Sequence, residues 1–533
     1  MRYSLRAVLG LGVALSALGC SDYLSGPGLS TDPNNPSTLT RPGPLYVSIQ
    51  VALSPQREGQ MVRDGMEIMQ QIAGIARQQL STDHYLETPA GTDTYFGAVY
   101  GSSNVLTGGG GLLDIHKLQQ LARKANDSLY VGIAKVYEAL VVGFAADIWG
   151  DVPYREAADS TKLTPHFDPQ LQVYGDMQAQ LDSAINIFLP AAGPTNLGPP
   201  QDQSELIYAG RDAAGLRAVY TKVAHSLKAR YFMHTAAVDP AAYQRALAEA
   251  ALGIAAPEDD FLLFSDATPS NNNIWWQFNS ARFGDIGPGA ALVEIMKRRI
   301  TAGVEDNQRL AFYFTPAEGV LFFGYRPAAT TNMATNGTIY NGNGSPGGSY
   351  SSFAPAFDGG TPPGDFRMPE LSYAETQLIS AEATWHMNCA GCTATTVVAG
   401  AQPFLDNARR NRHYGSAGGA PVTFGDAPGS LTASLQDIIE EKYVSLFLNP
   451  EVWNDWKRTC LPSLAPAPPA GSTSPGTSPI PGRLPYGLTE VNANPNTPST
   501  NSAGIPVTSI GRNPNQPTAC PVLNYTNSSP LAN

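Results

Sequence analysis

Charge is scarce in this chain: Asp, Glu, Lys and Arg make up 15% of its 533 residues, and the net balance is −12. An acidic surface lacks the attraction that nucleic acid and anionic membrane surfaces require, so neither is expected as an electrostatic partner. Catalytic signatures are missing as well. The seven histidines (84, 116, 166, 225, 234, 386, 413) form no H-E-x-x-H pair, and there is no G-x-S-x-G elbow and no Walker-type loop. The glycines at 108–111 precede a helix but lack the Lys-Ser/Thr of a phosphate cradle, so they read as a flexible hinge. Adjacent acids such as Glu258, Asp259 and Asp260 read as solvated surface. No enzyme activity, cofactor or metal site is therefore expected. Beyond the N-terminal segment no apolar run reaches 18 residues, the length at which a helix spans a bilayer. Strand-type alternation is sparse, which leaves the fold to helices.

What the chain does carry begins at its start. Arg2 and Arg6 precede a short apolar stretch, 7–19, that ends at Cys20. A basic start, an apolar stretch too short to cross a bilayer and a small residue before the break describe an export signal over 1–19. Ala17, Leu18, Gly19 and Cys20 resemble a bacterial lipobox, which makes Cys20 the expected lipidation site and the anchor to a membrane. Residues 20–40, rich in Ser, Pro, Asn and Gly, read as a tether to a folded body over 41–533. Export also frames the other cysteines. Cys389, Cys392, Cys460 and Cys520 allow three pairings, of which Cys389–Cys392 with Cys460–Cys520 is the expected one, the second stapling the loop-rich segment 462–533. The competing zinc reading is weak, because a single C-x-x-C has neither a partner C-x-x-C nor a nearby His pair.

Helical periodicity dominates. Between 133 and 149 apolar residues recur at 133, 136, 137, 140, 141, 144, 145, 148 and 149, which predicts one wide apolar stripe on a helix. Gly132, Ala139, Gly143 and Ala146 on that helix should admit close neighbours. Further helices are predicted over 114–129, 170–188, 216–237, 241–253, 290–301, 372–387, 435–448 and 452–458, with Ser372/Glu375 forming a capping box and Ser434/Asp437 opening the 435–448 helix. Gly150 and Pro153 stop the strongest helix, so the Trp149 to Tyr154 string reads as structural. Helix pairs of this length, joined by turns, resemble tetratricopeptide hairpins, whose faces must stack to be buried. The expected fold is all-α: a tetratricopeptide-like superhelix with long loop-rich insertions at 193–204, 330–365, 415–429 and 462–481.

A set of strings then becomes recognisable in order along the chain. They are Asp32-Pro-Asn-Asn-Pro36, Trp149-Gly-Asp-Val-Pro-Tyr154, Phe167-Asp-Pro169, Ser226-Leu-Lys-Ala-Arg230, and MPELSYAETQLISAE over 368–382. EEKYVSLFLNPEVWNDWKR over 440–458 and Ile480-Pro-Gly-Arg-Leu-Pro-Tyr486, with Glu490 and Asn492, complete it. Behind a lipoprotein signal, this series resembles the SusD/RagB family over essentially the whole mature chain. The resemblance implies an outer-membrane lipoprotein facing the cell exterior. It implies too that glycans or oligosaccharides are captured and delivered to a SusC-like TonB-dependent barrel, with no bond broken. The glycine run at 108–111, the 330–365 loop and the insert after Pro462 differ from the family pattern. Readings from other classes are a surface glycoside hydrolase and a peptide-binding or scaffold helical-repeat lipoprotein.

The best ligand candidate is the segment 271–285. Sugars present apolar CH faces fringed by hydroxyls, and their sites combine aromatic platforms with amide and charged hydrogen-bonders. This segment offers Trp275, Trp276 and Phe278 beside Asn273 and Gln277, with Arg282 and Asp285 able to add charge-assisted bonds. The plainer reading is that one tryptophan anchors the segment to the core. Tyr340 and Tyr350, with Tyr95 and Tyr100, lie in polar Gly-rich settings and form a second tier, whereas Trp385, Trp453 and Trp456 fall on helical stripes and read as core.

Overall fold

The computed structural model describes residues 41–101, 109–159, 161–189, 198–303, 306–316, 322, 324–327, 351–360, 364–411, 413–424, 431–467, 480–498 and 520. Cys20, Tyr340 and Tyr350 lie outside the described residues, as do parts of the predicted loops.

The helices used below are α1 (Pro42–Glu58), α2 (Gln60–Ile68), α3 (Pro89–Tyr100), α4 (Leu112–Lys124), α5 (Ser128–Trp149), α6 (Gln170–Phe188), α7 (Ala213–Thr235) and α8 (Ala242–Ala250). They continue as α9 (Ile274–Ala281), α10 (Ala290–Thr301), α11 (Tyr373–Met387), α12 (Gln402–Arg410), α13 (Leu435–Ser445), α14 (Glu451–Thr459) and α15 (Leu488–Ala493). Each helix from α4 to α8 packs on the one before it, α11 packs on α8, and α12 and α13 pack on α11. The result is a stack of helix hairpins, with the long 251–372 excursion inserted between α8 and α11. The described strands are eight short ones in four antiparallel pairs: β1 (Ile72–Gly74) with β3 (Ile286–Pro288), β2 (Phe261–Leu262) with β6 (Pro369–Leu371), β4 (Phe314–Thr315) with β5 (Ser352–Phe353), and β7 (His413–Ala417) with β8 (Ala420–Thr423). The fold is mostly helical, as the periodicity predicts, and the strands pin the inserted loops to the stack.

Several boundaries differ from expectation. The predicted 114–129 helix ends at Lys124 and α5 begins at Ser128, because Asn126 turns left-handed (φ 54°) and Asp127 caps the new helix by accepting from Tyr130 N at 3.3 Å. α5 is also buried on nearly every side rather than along one stripe. Its length and composition would suit a membrane span, yet 94% of that window is inside the protein. At Gly143 a Cβ would lie 2.0 Å from the Tyr231 hydroxyl, which donates to Ala139 O at 2.6 Å, so the small residues do set the helix approach. The described part of the 108–111 run is no hinge. Gly110 (φ 79°) lies so close to α1 that a Cβ would sit 2.4 Å from Ala52, and Asp114 accepts from its amide at 2.7 Å. The 415–429 loop begins as the β7–β8 hairpin, and 271–285, read as a loop, contains α9. Cys389 is bonded to Cys392 and Cys460 to Cys520.

The recognisable strings turn out to hold the core's buried charge. Arg230 pairs with Glu370 at 2.9 Å and Glu375 at 2.7 Å, and Arg57 reaches Glu370 at 2.6 Å. Ser372 Oγ accepts from Glu375 N at 3.1 Å, but the Glu375 carboxylate turns to Arg230, so only half of the predicted capping box forms. Likewise Glu382 binds Arg458 and Lys442. Two of the strings anchor the C-terminal segment: Trp149 Nε1 donates to Pro485 O at 2.9 Å, and Trp453 Nε1, from the 440–458 string, donates to Pro481 O at 3.0 Å.

His234 joins this network with no exposure to solvent, its Nδ1 2.9 Å from Asp147 and its Nε2 2.7 Å from Glu451. Ligand atoms of these three residues lie within 4.8 Å of one another. Both ring nitrogens, however, face carboxylates, while Lys457 Nζ donates to Asp147 O at 2.7 Å and Arg230 lies 3.7 Å from Glu451, so the trio is a charge clamp already supplied with cations. Burial disfavours the imidazolium, but the two carboxylates outweigh it and raise the His234 pKa to about 9. A raised histidine pKa stabilises the fold fully below its unfolded value near 6.5, and that contribution is lost as pH rises through about 9. His234→Gln is thus expected to cost on the order of 3 kcal/mol at pH 6 and little at pH 9.5, read as a chemical-denaturation difference at the two pH values. An equal cost at both would show that imidazole packing, not its charge, holds the site.

Candidate functional site

α9 is built at its N-terminus by a buried clamp. Asn273 Oδ1 accepts from Trp275 N and Trp276 N at 3.0 and 3.1 Å, and its Nδ2 donates to both Glu58 oxygens at 3.3 Å. Glu58 also accepts from Ile274 N at 3.1 Å. Burial pushes the Glu58 carboxyl up to about 8, against the pull of that amide, so it is largely protonated at neutral pH. Asn273 is therefore a helix cap with no exposed surface, not a ligand contact.

Once the segment is helical, its aromatics cannot form one platform. At about 100° per residue, Trp276 and Phe278 fall on opposite flanks of Trp275. Trp275 is 0% exposed and belongs to the main core, which excludes it as a stacking surface in this structure. Trp276 is half-buried and lies against Gly364, where a Cβ would come within 2.8 Å of its ring. Gln277 turns back to donate to Asn272 O at 2.5 Å. Phe278 is half-buried beneath Arg63, whose guanidinium sits 4.0 Å from the ring centroid. Asp285 is 2% exposed and accepts from Arg77 Nε at 2.9 Å, with Arg282 3.7 Å away, so it organises two exposed arginines instead of facing a ligand.

Of the expected residues, Arg282 is exposed, while Phe278 is half-buried under Arg63. Sequence reasoning missed Phe283. It is 81% exposed, beside a left-handed Gly284 (φ 82°), and no periodicity marks an aromatic at a turn. An exposed ring beside an exposed arginine is a composition that CH faces and hydroxyls can use.

The architecture defines a class: a helix-hairpin stack carrying a loop-rich face. A family model described as "Starch-binding associating with outer membrane", SusD-like, matches residues 33–487, and the chain belongs to this family. No curated protein sequence matches the chain. Among solved structures, a chitin-binding protein superposes with TM-score 0.63 at 21% identity, covering 86% of this chain and 95% of the other. A SusD/RagB family protein from Bacteroides thetaiotaomicron gives 0.60 at 18%, covering 86% and 95%. A chitin-binding SusD homologue from Flavobacterium johnsoniae gives 0.58 at 18%, covering 90% and 98%. At these identities the likeness shows the fold.

Proposed function

We propose that this protein is a non-enzymatic glycan-binding lipoprotein of the outer membrane, anchored through Cys20 and facing the cell exterior, which passes oligosaccharides to a SusC-like TonB-dependent barrel. The observation that carries the binding half is Phe283, 81% exposed beside exposed Arg282, whereas the other aromatics among the described residues are buried or half-buried. Family membership over 33–487 and the family's outer-membrane description support the location. Tyr340 and Tyr350 are proposed as further contacts from their sequence setting.

Delivery to a barrel requires a specific interface, on the order of 1,200–2,000 Å² or more. Mild-detergent purification from native membranes is expected to recover the chain with a large β-barrel protein, and Cys20→Ser to release it from the membrane fraction. Recovery of the anchored chain alone would sink the transport role, and unchanged fractionation of Cys20→Ser would sink the anchor. Binding itself is tested by titrating the purified chain with neutral oligosaccharides, and failure to bind any of a starch, chitin and xylan panel would refute this glycan reading.

A further inference from the structure

The buried cluster around Glu441 holds more positive charge than its carboxylates answer. Arg299 on α10, Arg309 on the Asn307–Tyr313 helix and Arg409 on α12 converge on Glu441 of α13, at 2.9, 2.8 and 2.6 Å. Asp306 is the second anion, 2.6 Å from Arg309 and 3.7 Å from Arg299. Every member is at most 4% exposed. Three guanidinium groups thus face two carboxylates, a surplus of one positive charge inside the protein. The charged neighbours do not correct it. Arg298 pairs with Glu440 and Lys297 with Glu294, both at 2.8 Å, Arg410 lies 3.9 Å from Asp406, and Lys442 faces Glu382 and Asp455.

The nitrogens of these arginines show where the surplus falls. Nε and Nη2 of Arg299, Nε and Nη2 of Arg409 and Nε of Arg309 are buried with no acceptor in the protein. Buried donors are nearly always satisfied, and a set that lacks protein acceptors marks the place of a water or an ion. Arg309 commits both of its Nη groups to Asp306, Glu441 and Ser445, so four of those five nitrogens belong to Arg299 and Arg409. These two arginines donate their Nη1 to the same oxygen, Glu441 Oε2, which draws their guanidinium groups together despite their like charge. A water molecule there would accept two of the bonds but leave the charge unbalanced. One monovalent anion answers both the donors and the charge, whereas a divalent oxyanion would reverse the surplus and bring more charge to desolvate. With every member buried, a compact ion fits where an organic acid would have to bring its carbon chain into a close-packed interior.

We propose that the cluster binds one monovalent inorganic anion of chloride size, held by Arg299 and Arg409 beside Glu441, as a structural ligand that joins α10 and α12 to α13. The site is independent of the aromatic surface and of the glycan reading. An ion that binds only the folded chain makes stability rise with its concentration once that exceeds the dissociation constant.

The test purifies the full chain in sodium gluconate and titrates it with sodium chloride at constant ionic strength, so that screening is the same throughout. The melting temperature is expected to rise by about 2 °C or more as the site fills. Crystals grown in sodium bromide should show an anomalous peak against the Nε and Nη2 atoms of Arg299 and Arg409. Arg409→Met leaves two arginines against two carboxylates and should abolish the chloride response. Should that variant fail to fold, the bromide peak in the native chain decides alone. Equal melting temperatures in chloride and gluconate, a water without anomalous signal at the two arginines, or an undiminished chloride response in Arg409→Met would each overturn the proposal.

Discussion

Replacing Glu441 by Ala is expected to remove most of the protein's stability. The carboxylate is fully buried in α13 and binds three arginines: Arg409 at 2.6 Å, Arg309 at 2.8 Å and Arg299 at 2.9 Å. Asp306 is the other anion in the cluster, 2.6 Å from Arg309. Truncation would leave three buried guanidinium groups against one carboxylate. Breaking a buried pair costs about 3–5 kcal/mol, and this variant breaks three contacts at once, against a total stability of about 5–15 kcal/mol for an ordinary domain. Burial opposes the ionised form, but the arginines, Arg309 foremost, hold the Glu441 pKa well below the usual carboxylate range. A depressed carboxylate pKa contributes stability above its unfolded value near 4.5, and that contribution is lost as pH falls through the folded value. Urea melts at pH 7 should therefore show the full penalty, with Glu441→Gln also destabilised because it keeps the shape without the charge. A loss below about 1 kcal/mol for Glu441→Ala would mean that the arginines find water or other acceptors, and the network would not be what holds α10 to α13.

The second large effect is on binding. Phe283→Ala with Phe278→Ala is expected to lower neutral-oligosaccharide affinity about a hundredfold, since aromatic anchors at binding surfaces are commonly worth 1–2 kcal/mol or more each. Stability separates the two rings. Phe283, at 81% exposure, should leave the melting temperature unchanged, whereas Phe278 packs under Arg63 and should lower it modestly. Trp275→Ala is the contrasting variant: it removes a core side chain at a cost of about 3–5 kcal/mol. Full glycan affinity in the double phenylalanine variant would move the site elsewhere on the loop-rich face.

The comparison of α5 with α2 explains which elements could be read in advance. α5 pairs an uninterrupted apolar pattern with small residues and a Gly150 stop, so its existence was legible, and only its start, set by the Asn126 turn, was not. α2 sets Gln60, Arg63, Asp64 and Glu67 on one face at i, i+3, i+4 and i+7 with apolar residues opposite, so its period was in the sequence and went unread, while the burial of that polar face was not there to read. The aromatic segment failed for a related reason. Its composition pointed to sugar chemistry, but composition does not say which ring faces inward once Asn273 caps a helix, and the helix turned Trp275 into the core.

By themselves the residues determined the class of the protein: a mostly helical chain of the SusD-like family, with its cysteine pairing, helix stops and ordered family strings. Those features are local, set by hydrophobic period, capping and turn chemistry within a few residues. Tertiary structure alone decided that Glu370, Glu375, Glu382, Glu441 and Arg458 form buried ion networks rather than solvated faces. It also decided that Phe283 stands in solvent while Trp275 does not. Partners so distant along the chain are chosen by packing and desolvation, and neither leaves a periodic trace in the sequence.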